Sequence, residues 1–392
     1  MRHRVVQVGL GVRGKFHLRG LVENPEAYEI VGLCDLDPKK IEEAKAMFGL
    51  DVPAFTDAET MLRQTRPEVF VFVTHPNVRT QMVELAVRYG VKVLSFEKPM
   101  AMNLGEAHHI TQLCRDNHIK AVVSHQQKYA EQMQKVYALV RDGQIGEIQK
   151  IHVETQSWLA QLGTHYMDYS LWMSGGQARV RSVVGHAHGT WCLGDSHPSP
   201  DYLLGEALLT NGVRVYLECG YFSQRRPYVP RYGYDNRLTA YGTNGYLWFE
   251  TDGKWGGVTK ESKGELIGGT CPIWDEQEPF LQIPYYRDLA RWIDDDTQVH
   301  PCNIEISYHG YEELEAMCLS ALDHTRVDLP LKNLDYEPAS SRTSTPRADA
   351  HGSRSWTERS KRCIWNNSSV NCLNCSRPAR RLPLLRRRRP FA

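Results

Sequence analysis

Two side chains of this sequence, Lys98 and His165, have the type and setting that acid–base chemistry requires. Lys98 follows the apolar run at residues 92–96, within Glu97-Lys98-Pro99. At the end of a buried strand, partial desolvation lowers the pKa of a lysine and makes it useful in proton transfer. On spacing alone, a solvated loop lysine explains the same position, so both interpretations stay open.

His165 belongs to residues 163–172, which we predict to be helical, and Asp168 lies three residues later on the same helix face. A carboxylate that faces an imidazole fixes its tautomer and prepares it for acid–base work. A helix-capping or core histidine accounts for the pattern equally well. Tyr166 and Trp158 are candidates for lining a ligand pocket, with core packing as the alternative for each.

The glycine pattern near the start of the chain has the spacing of a dinucleotide-binding turn. Residues 5–8 form a short apolar run that ends in Gly9-Leu10-Gly11-Val12-Arg13-Gly14, and a helical pattern follows. In such a turn the first glycine allows the tight bend, the second lets the backbone approach a pyrophosphate, and the third allows close helix packing. The helix start then offers its N–H groups to the phosphates.

Asp35 ends the next predicted strand, residues 29–34, about 20 residues beyond the last glycine, where an acid binds the ribose hydroxyls. Its charge repels a 2′-phosphate, so we predict NAD as the cofactor in preference to NADP. The histidines His108, His109, His186 and His188 lack coherent ligand spacing, so we predict no metal site.

Strands and helices alternate through the first 125 residues, which predicts a doubly wound parallel sheet with ligands at the carboxyl ends of its strands. From residue 126 strands dominate, and Asn211-Gly212 is a hairpin signal. We therefore predict an α/β fold with a Rossmann domain at 1–125 and an α+β domain at 126–331. The pattern predicts a largely antiparallel sheet in the second domain.

Residues 332–392 lose all apolar periodicity, and their composition predicts a disordered basic tail. From residue 340 onward they hold twelve arginines and one lysine against two acidic residues, although the whole chain has a formal net charge of +1. The tail is either a functional basic segment or a frame-shifted, non-native extension. The acidic remainder argues against nucleic-acid binding by the folded body.

The N-terminus has no apolar secretory core, and no apolar run approaches the ~20 residues that span a membrane. We therefore expect a cytoplasmic protein with no membrane association. The ten cysteines lack the regular spacing of a disulfide framework, and we expect them to be reduced thiols.

Taken together, these motifs resemble the Gfo/Idh/MocA family of oxidoreductases over about residues 4–331. The resemblance rests on the glycine turn, the segment after Cys34, Thr74-His75-Pro76, Glu97-Lys98-Pro99, and Gly163-Thr164-His165 with Asp168. It implies hydride transfer between NAD(P) and a sugar, cyclitol or related polyol, in a homodimer or homotetramer. By the same resemblance, the second domain would bind substrate, and its sheet would be open and mediate oligomerisation. It also assigns the family lysine to Lys98, the acid–base histidine to His165, and a frequently cis peptide bond to Lys98-Pro99.

One position departs from that family. Many catalytic members carry an aspartate four residues before the histidine, where this chain has Gln161. A glutamine can hydrogen-bond a substrate hydroxyl but exchanges no proton at neutral pH. Either Lys98 and His165 suffice, or Asp168 assists, or the protein does not catalyse. Two other functions therefore stay open, an NAD-assisted glycoside hydrolase and a non-catalytic sensor of sugar and dinucleotide.

Overall fold

The structure is a computed structural model that describes residues 2–157, 159–189, 191–192, 198–220, 222–229 and 233–334. All of them belong to one unit of the chain, Met1–Thr345. Trp158 and the predicted tail beyond residue 334 lie outside the described residues. No helix among the described residues is long and apolar enough to cross a membrane.

A six-stranded parallel sheet forms the first half of the protein. Its strands are β1 (His3–Val8), β2 (Tyr28–Cys34), β3 (Ala54–Phe55), β4 (Val69–Phe72), β5 (Val93–Glu97) and β6 (Lys120–Ser124). The connecting helices are α1 (Val12–Val22), α2 (Pro38–Phe48), α3 (Ala58–Thr65), α4 (Arg79–Arg88) and α5 (Leu104–Asp116). The strand order β3-β2-β1-β4-β5-β6 confirms the predicted doubly wound sheet, and β4 is buried throughout.

A nine-stranded sheet dominates the second half. Its strands are β7 (Ile148–Thr155), β8 (Val180–His188), β11 (Tyr202–Leu209), β12 (Arg214–Gly220), β13 (Asn236–Gly242), β14 (Gly245–Glu250), β15 (Lys254–Val258), β16 (Ile267–Thr270) and β17 (Val327–Asp328). The short strands β9 (Trp191–Cys192) and β10 (Pro198–Ser199) pair separately. The order is β16-β15-β14-β13-β7-β12-β11-β8-β17, and every pair except β7–β12 is antiparallel. The predicted, largely antiparallel sheet is thus confirmed.

The helices of this half are α6 (Glu131–Arg141), α7 (Thr164–Met173), α8 (Trp274–Gln277), α9 (Gln282–Asp294) and α10 (Ile304–Asp323). A π-helical turn at Leu159–Gly163 leads directly into α7. Helix α10 begins at Ile304, because the Asn303 side chain accepts hydrogen bonds from the N–H groups of Glu305 and Ile306.

Helix α9 joins the two halves, although it comes late in the chain. Its residues Tyr285, Tyr286 and Leu289 are fully buried in one cluster with Val5 of β1 and Val69 of β4. The contact brings α9 so close to α1 that a Cβ on Gly20 would lie 2.5 Å from the Gln282 carbonyl oxygen. The parallel sheet is therefore covered on one face by a helix that the sequence assigned to the other domain.

Candidate active site

The glycine turn between β1 and α1 has the geometry that its sequence predicts. Gly9 has φ +85°, and a Cβ there would lie 2.3 Å from the Val73 carbonyl oxygen. A Cβ on Gly14 would lie 2.1 Å from the Gly9 carbonyl oxygen, so the helix packs directly on the turn. At Gly11 a Cβ meets no atom of the chain within 4 Å. Nothing in the chain's own packing requires that glycine, whereas close approach of a pyrophosphate does.

Helix α1 begins at Val12, so Val12, Arg13 and Gly14 make up its first turn. Their N–H groups lie in the part of a helix that has no intrahelical acceptor, and the positive end of the helix dipole lies there too. The turn therefore fits the phosphates of a dinucleotide.

Asp35 directly follows β2 and is buried beside the turn. Its Oδ2 accepts a hydrogen bond of 2.7 Å from the Leu10 N–H, and its Oδ1 accepts one of 3.0 Å from the Asp37 N–H. The carboxylate thus holds the glycine turn in place, and each oxygen keeps acceptor capacity for a ribose hydroxyl. Lys40 Nζ lies 4.0 Å from Oδ1 and partly offsets the negative charge.

Thr74, His75 and Pro76 follow β4, next to the same end of the sheet. His75 is exposed, and Pro76 begins a short 3-10 turn. The hydroxyl of Thr74 is buried, with no hydrogen-bond partner among the described residues. An orphaned buried hydroxyl at the carboxyl end of a central strand suits contact with a cofactor.

Arg79, which the sequence reasoning missed, connects this loop to Lys98. Its buried guanidinium donates to the carbonyl oxygen of Thr74 at 2.8 Å and to that of Lys98 at 3.3 Å. An arginine at the start of a helix has no sequence signature for such a role. The contact fixes two loops that lie on neighbouring strands.

Glu97 is buried at the end of β5, in a cluster of charged and polar groups. Its Oε1 lies 3.0 Å from His17 Nε2 and 3.9 Å from Arg13 Nε, while Arg13 also pairs with Glu278. Burial by itself would raise the pKa of Glu97, but the His17 hydrogen bond and the Arg13 charge lower it to about 2. Glu97 is therefore an ionised structural group beside the glycine turn.

Lys98 comes next, and its peptide bond to Pro99 is cis. Its ammonium group donates a hydrogen bond of 3.2 Å to the carbonyl oxygen of Gln161. The Gln161 side chain is exposed, and its Oε1 accepts a hydrogen bond from the Ser157 hydroxyl. The structure thus brings together two residues that lie 63 positions apart, one from each half of the protein.

His165 is almost fully buried in the first turn of α7. Its Nδ1 lies 2.8 Å from His125 Nδ1 and 2.9 Å from the Tyr169 hydroxyl. Burial lowers the pKa of His165 well below its ordinary value, and the nearby charge of Lys98 lowers it further. The imidazole is therefore neutral at neutral pH, which is the form that accepts a proton.

Asp168 does not contact His165 in the way that the helix spacing suggests. Its carboxylate forms a fully buried ion pair with Lys128 and accepts a hydrogen bond of 3.2 Å from the Ser307 hydroxyl. Its Oδ2 lies 3.9 Å from Nε2 of His125, so His125 stands between the carboxylate and His165. The predicted direct His–Asp pair is replaced by a three-residue arrangement, because α7 turns Asp168 toward α10 and the segment after β6.

Tyr166 has a packing role. It is fully buried in the core of the second half, and its hydroxyl lies 3.0 Å from the Thr251 hydroxyl. Of the two alternatives that the sequence left open, the structure therefore places this tyrosine in the core, and we assign it no contact with substrate.

His125, Lys128 and Ser307 are the other residues that the sequence reasoning missed. Lys128 is fully buried and also donates a hydrogen bond of 2.5 Å to the Pro301 carbonyl oxygen. His125 directly follows β6, and that position at the end of the last parallel strand was the one signal that could have identified it.

One group of potential metal ligands occurs among the described residues, away from these loops. His152 and Glu154 of β7 and Glu218 of β12 have ligand atoms within 4.8 Å of one another. Glu154 also forms an ion pair with Arg226, and Glu218 accepts a hydrogen bond of 3.1 Å from the Tyr202 hydroxyl. These partners already engage both carboxylates, so we assign no metal to the group.

Comparison with known proteins agrees with this geometry. Residues 3–125 match the profile of the Gfo/Idh/MocA oxidoreductases, described as an oxidoreductase family with an NAD-binding Rossmann fold. D-apiose dehydrogenase of Paraburkholderia graminis is 25% identical over 244 residues, which cover 57% of this chain and 62% of that protein. Inositol 2-dehydrogenase of Salmonella typhimurium is 23% identical over 146 residues, or 37% of this chain and 43% of that protein. The matches thus span less than two thirds of either relative.

Among solved structures, an oxidoreductase from Agrobacterium radiobacter in complex with NAD+, L-tartaric acid and magnesium has a TM-score of 0.69. The superposition covers 84% of this chain and 98% of that one, at 16% sequence identity. At this identity the likeness concerns the fold, and it extends through both sheets.

Proposed function

This chain belongs to the Gfo/Idh/MocA family of oxidoreductases, with an NAD-binding Rossmann domain, and we propose that it oxidises a secondary hydroxyl of a sugar, cyclitol or related polyol. The observation that carries the proposal is the hydrogen bond from Lys98 to the Gln161 carbonyl oxygen, with Lys98 close enough to His165 for its charge to lower the pKa of that imidazole. His165 as the proton acceptor and Lys98 as the cation thereby lie near the glycine turn, which fits a dinucleotide.

The proposed roles follow from the contacts of each side chain. His165 is neutral, and its Nδ1 is engaged by His125 and Tyr169, so Nε2 takes the hydroxyl proton of the substrate. Lys98 donates a hydrogen bond to the same oxygen and stabilises the negative charge that develops there. Bound NAD supplies the carbon that accepts the hydride. Gln161 holds Lys98 through its main-chain carbonyl.

A panel of polyols tests the proposal. The full chain with NAD+ is mixed with D-apiose, D-xylose, D-glucose or myo-inositol, and NADH is followed by absorbance. We expect NADH to accumulate with at least one class of polyol, and Lys98→Met to abolish most of that turnover while NAD+ binding persists. Binding of NAD+ without turnover of any polyol would contradict the proposal. Cleavage of a chromogenic glycoside without net NADH would instead indicate the NAD-assisted hydrolase.

The cofactor preference is a separate part of the proposal. Asp35 faces the ribose position and repels a 2′-phosphate, whereas Lys39 and Lys40 partly offset this repulsion. We therefore expect NAD+ to bind more tightly than NADP+, and Asp35→Ser to narrow the difference. Equal affinities in the unmodified protein, measured by quenching of protein fluorescence, would contradict this preference.

We also propose a homodimer or homotetramer formed through the open face of the nine-stranded sheet. Val184 of β8 and Leu204 of β11 are more than 40% exposed on neighbouring strands. Apolar side chains exposed together on one sheet are typical of an interaction surface. Light scattering coupled to size-exclusion chromatography measures the mass, and a monomer at micromolar concentration would contradict the assembly.

A non-catalytic sensor is the second candidate, and the observation that favours it is Gln161. Its side chain, bonded to Ser157, supplies no carboxylate beside Lys98. A sensor binds NAD+ and a sugar but accumulates no NADH, so the same panel, combined with calorimetric binding, distinguishes the two functions.

A further inference from the structure

His125 makes the one contact that links His165 to a buried negative charge. Its ring is fully buried directly after β6, with Nδ1 2.8 Å from His165 Nδ1 and Nε2 3.9 Å from Oδ2 of Asp168. The two rings meet edge to face, at an interplanar angle of 85°. Each imidazole therefore presents its Nδ1 to the other, and Nε2 of His125 lies toward Asp168.

The short contact between two neutral rings requires one Nδ1 to donate and the other to accept. Burial lowers the pKa of both imidazoles, that of His125 to about 4, so neither carries a second proton at neutral pH. The Tyr169 hydroxyl lies 2.9 Å from the same nitrogen of His165 and fits either arrangement, because a hydroxyl both donates and accepts. The contact alone therefore does not show which histidine donates the hydrogen bond and which accepts it.

The position of Asp168 determines which of the two Nδ1 atoms donates the hydrogen bond. Its Oδ1 is paired with Lys128, and its Oδ2 faces His125 Nε2 while accepting from the Ser307 hydroxyl. A carboxylate favours a protonated nitrogen opposite it, which puts the His125 proton on Nε2 and leaves a lone pair on Nδ1. His165 must then donate its Nδ1 proton to His125, and its own Nε2 carries the lone pair.

We propose that His125 is a positioning residue that holds His165 in the tautomer with an unprotonated Nε2, with Asp168 orienting His125 from behind. The inference rests on the proposed function for its kinetic consequence, although the tautomer itself does not depend on any substrate. Nε2 of His165 makes no hydrogen bond with the described residues, so it is the atom left to act as the base.

The chemical step balances with these groups. The substrate O–H bond breaks and its proton forms a bond to Nε2 of His165, while the hydride leaves with its electron pair for the NAD+ that the proposed function requires. The imidazolium that results donates from Nδ1 to His125, and the negative charge of Asp168 lies behind that ring. The positive charges of Lys98 and Lys128 disfavour the imidazolium form of His165. The carboxylate of Asp168 behind His125 offsets this repulsion.

Nitrogen-15 NMR of the histidine rings tests the tautomer directly. The full chain, labelled in histidine, is measured with NAD+ at neutral pH, and His165 is assigned from the spectrum of His165→Asn. We expect a protonated Nδ1 and an unprotonated Nε2 in the unmodified protein. In His125→Phe we expect a mixture of tautomers, because the ring that accepted the proton is gone. A protonated Nε2 in the unmodified protein, or an unchanged tautomer in His125→Phe, would overturn the proposal.

Kinetics supply the second readout, with the panel polyol that gives the highest kcat/KM. We expect His125→Phe to lower kcat about 10- to 100-fold, as loss of an orienting partner typically does, with KM changed less than about 2-fold. His125→Gln retains a carbonyl acceptor for the Nδ1 proton, so we expect its kcat within about 5-fold of the unmodified value. His108→Phe, at a partly buried histidine that contacts Tyr308 instead, is the control for loss of a ring.

The outcomes separate the two proposals. If His125→Gln is as impaired as His125→Phe while both unfold at the normal temperature, the positioning role is wrong. If the unmodified chain turns over no polyol, the proposed function fails, and the NMR measurement still decides the tautomer.

Discussion

His17 and His165 are both buried histidines near the glycine turn, and they differ in what is left for chemistry. His17 Nδ1 lies 2.6 Å from the Tyr286 hydroxyl, and its Nε2 lies 3.0 Å from both Glu97 and the Gln282 amide. Both of its ring nitrogens are engaged. Among the residues that the structure describes, His165 is engaged through Nδ1 only. A buried histidine with both nitrogens engaged stabilises the fold, whereas one with a nitrogen unengaged can take part in proton transfer.

The difference has a structural origin. His17 lies on α1, and its ring contacts residues of two other elements, the end of β5 and α9. His165 lies at the start of α7, where its partners all come from the side of β6 and α7. Lys98, which donates a hydrogen bond to the Gln161 carbonyl oxygen, lies near enough for its charge to lower the pKa of His165.

The largest expected effect is on turnover, in His165→Asn. Loss of a positioned base typically lowers the rate about 10²- to 10⁴-fold, and we expect kcat to fall within that range. The free energy of unfolding should change much less. Initial rates with the panel polyol and thermal unfolding measure the two effects. Near-full turnover in this variant would remove the distinction between the two histidines.

The converse substitution, His17→Ala, should lower the free energy of unfolding. It leaves the buried carboxylate of Glu97 without its hydrogen bond and creates a cavity, which together cost about 2–4 kcal/mol of unfolding free energy. Urea denaturation measures the loss. His109→Ala, on the exposed side of α5, is the matched control, and we expect it to change stability by less than about 0.5 kcal/mol. Equal stability of both variants would contradict a structural role for His17.

As the pH falls, the free energy of unfolding should begin to decrease at a higher pH than carboxylate titration alone would cause. Burial lowers the pKa of His17, His125 and His165 in the folded state, that of His125 to about 4, whereas unfolded histidines titrate near 6.5. The unfolded chain therefore binds more protons, so stability is complete above pH 6.5 and falls as the pH drops toward 4.

Glu97, with its pKa lowered to about 2, should add a second loss as the pH falls from about 4.5 toward 2. Urea unfolding at pH 7.5, 6.5, 5.5 and 4.5 measures the first phase. In His125→Phe the slope should decrease by up to about 1.4 kcal/mol per pH unit, which corresponds to one proton. Constant stability from pH 7.5 to 5 would show that these rings keep the same pKa in the folded protein as in the unfolded chain.

The smallest effect is expected for Gln161→Asp. Gln161 holds Lys98 through its main-chain carbonyl, which the substitution preserves, and its side chain is exposed. A new carboxylate near His165 would raise the pKa of that imidazole and strengthen it as a base, so we expect kcat to rise by less than about 10-fold. Gln161→Glu controls for side-chain length. A rise in KM with unchanged kcat would instead indicate that the Gln161 amide binds the substrate.

The cofactor half of the site was predictable from the sequence because its determinants are local. Gly9, Gly11 and Gly14 lie within one turn, and Asp35 follows the next strand, so spacing alone places them together. The structure adds that the Asp35 carboxylate accepts a hydrogen bond from the Leu10 N–H and that there is open space beside Gly11. The alternation of strands and helices likewise predicted the doubly wound parallel sheet, and the structure supplied the order of its strands.

The substrate half was predictable only in part. The roles of His165 and Lys98 remain predictions, whereas Asp168 pairs with Lys128 instead of His165, and Tyr166 lies in the core. Helix spacing shows which residues share a face, and it carries no information about which distant element packs against that face. His125 approaches from β6, 40 residues earlier in the chain, and Ser307 from α10, 139 residues later than Asp168.

The sequence by itself therefore determined the two-sheet architecture, the dinucleotide turn and the lysine and histidine at its edge, because these depend on local periodicity and on the ends of parallel strands. Only the tertiary structure decided which nitrogen of each histidine is engaged and which carboxylate lies behind it. Those contacts join elements separated by up to 269 residues, as between His17 and Tyr286. Their geometry follows from the packing of α7, α9 and α10 against the parallel sheet, which no local pattern records.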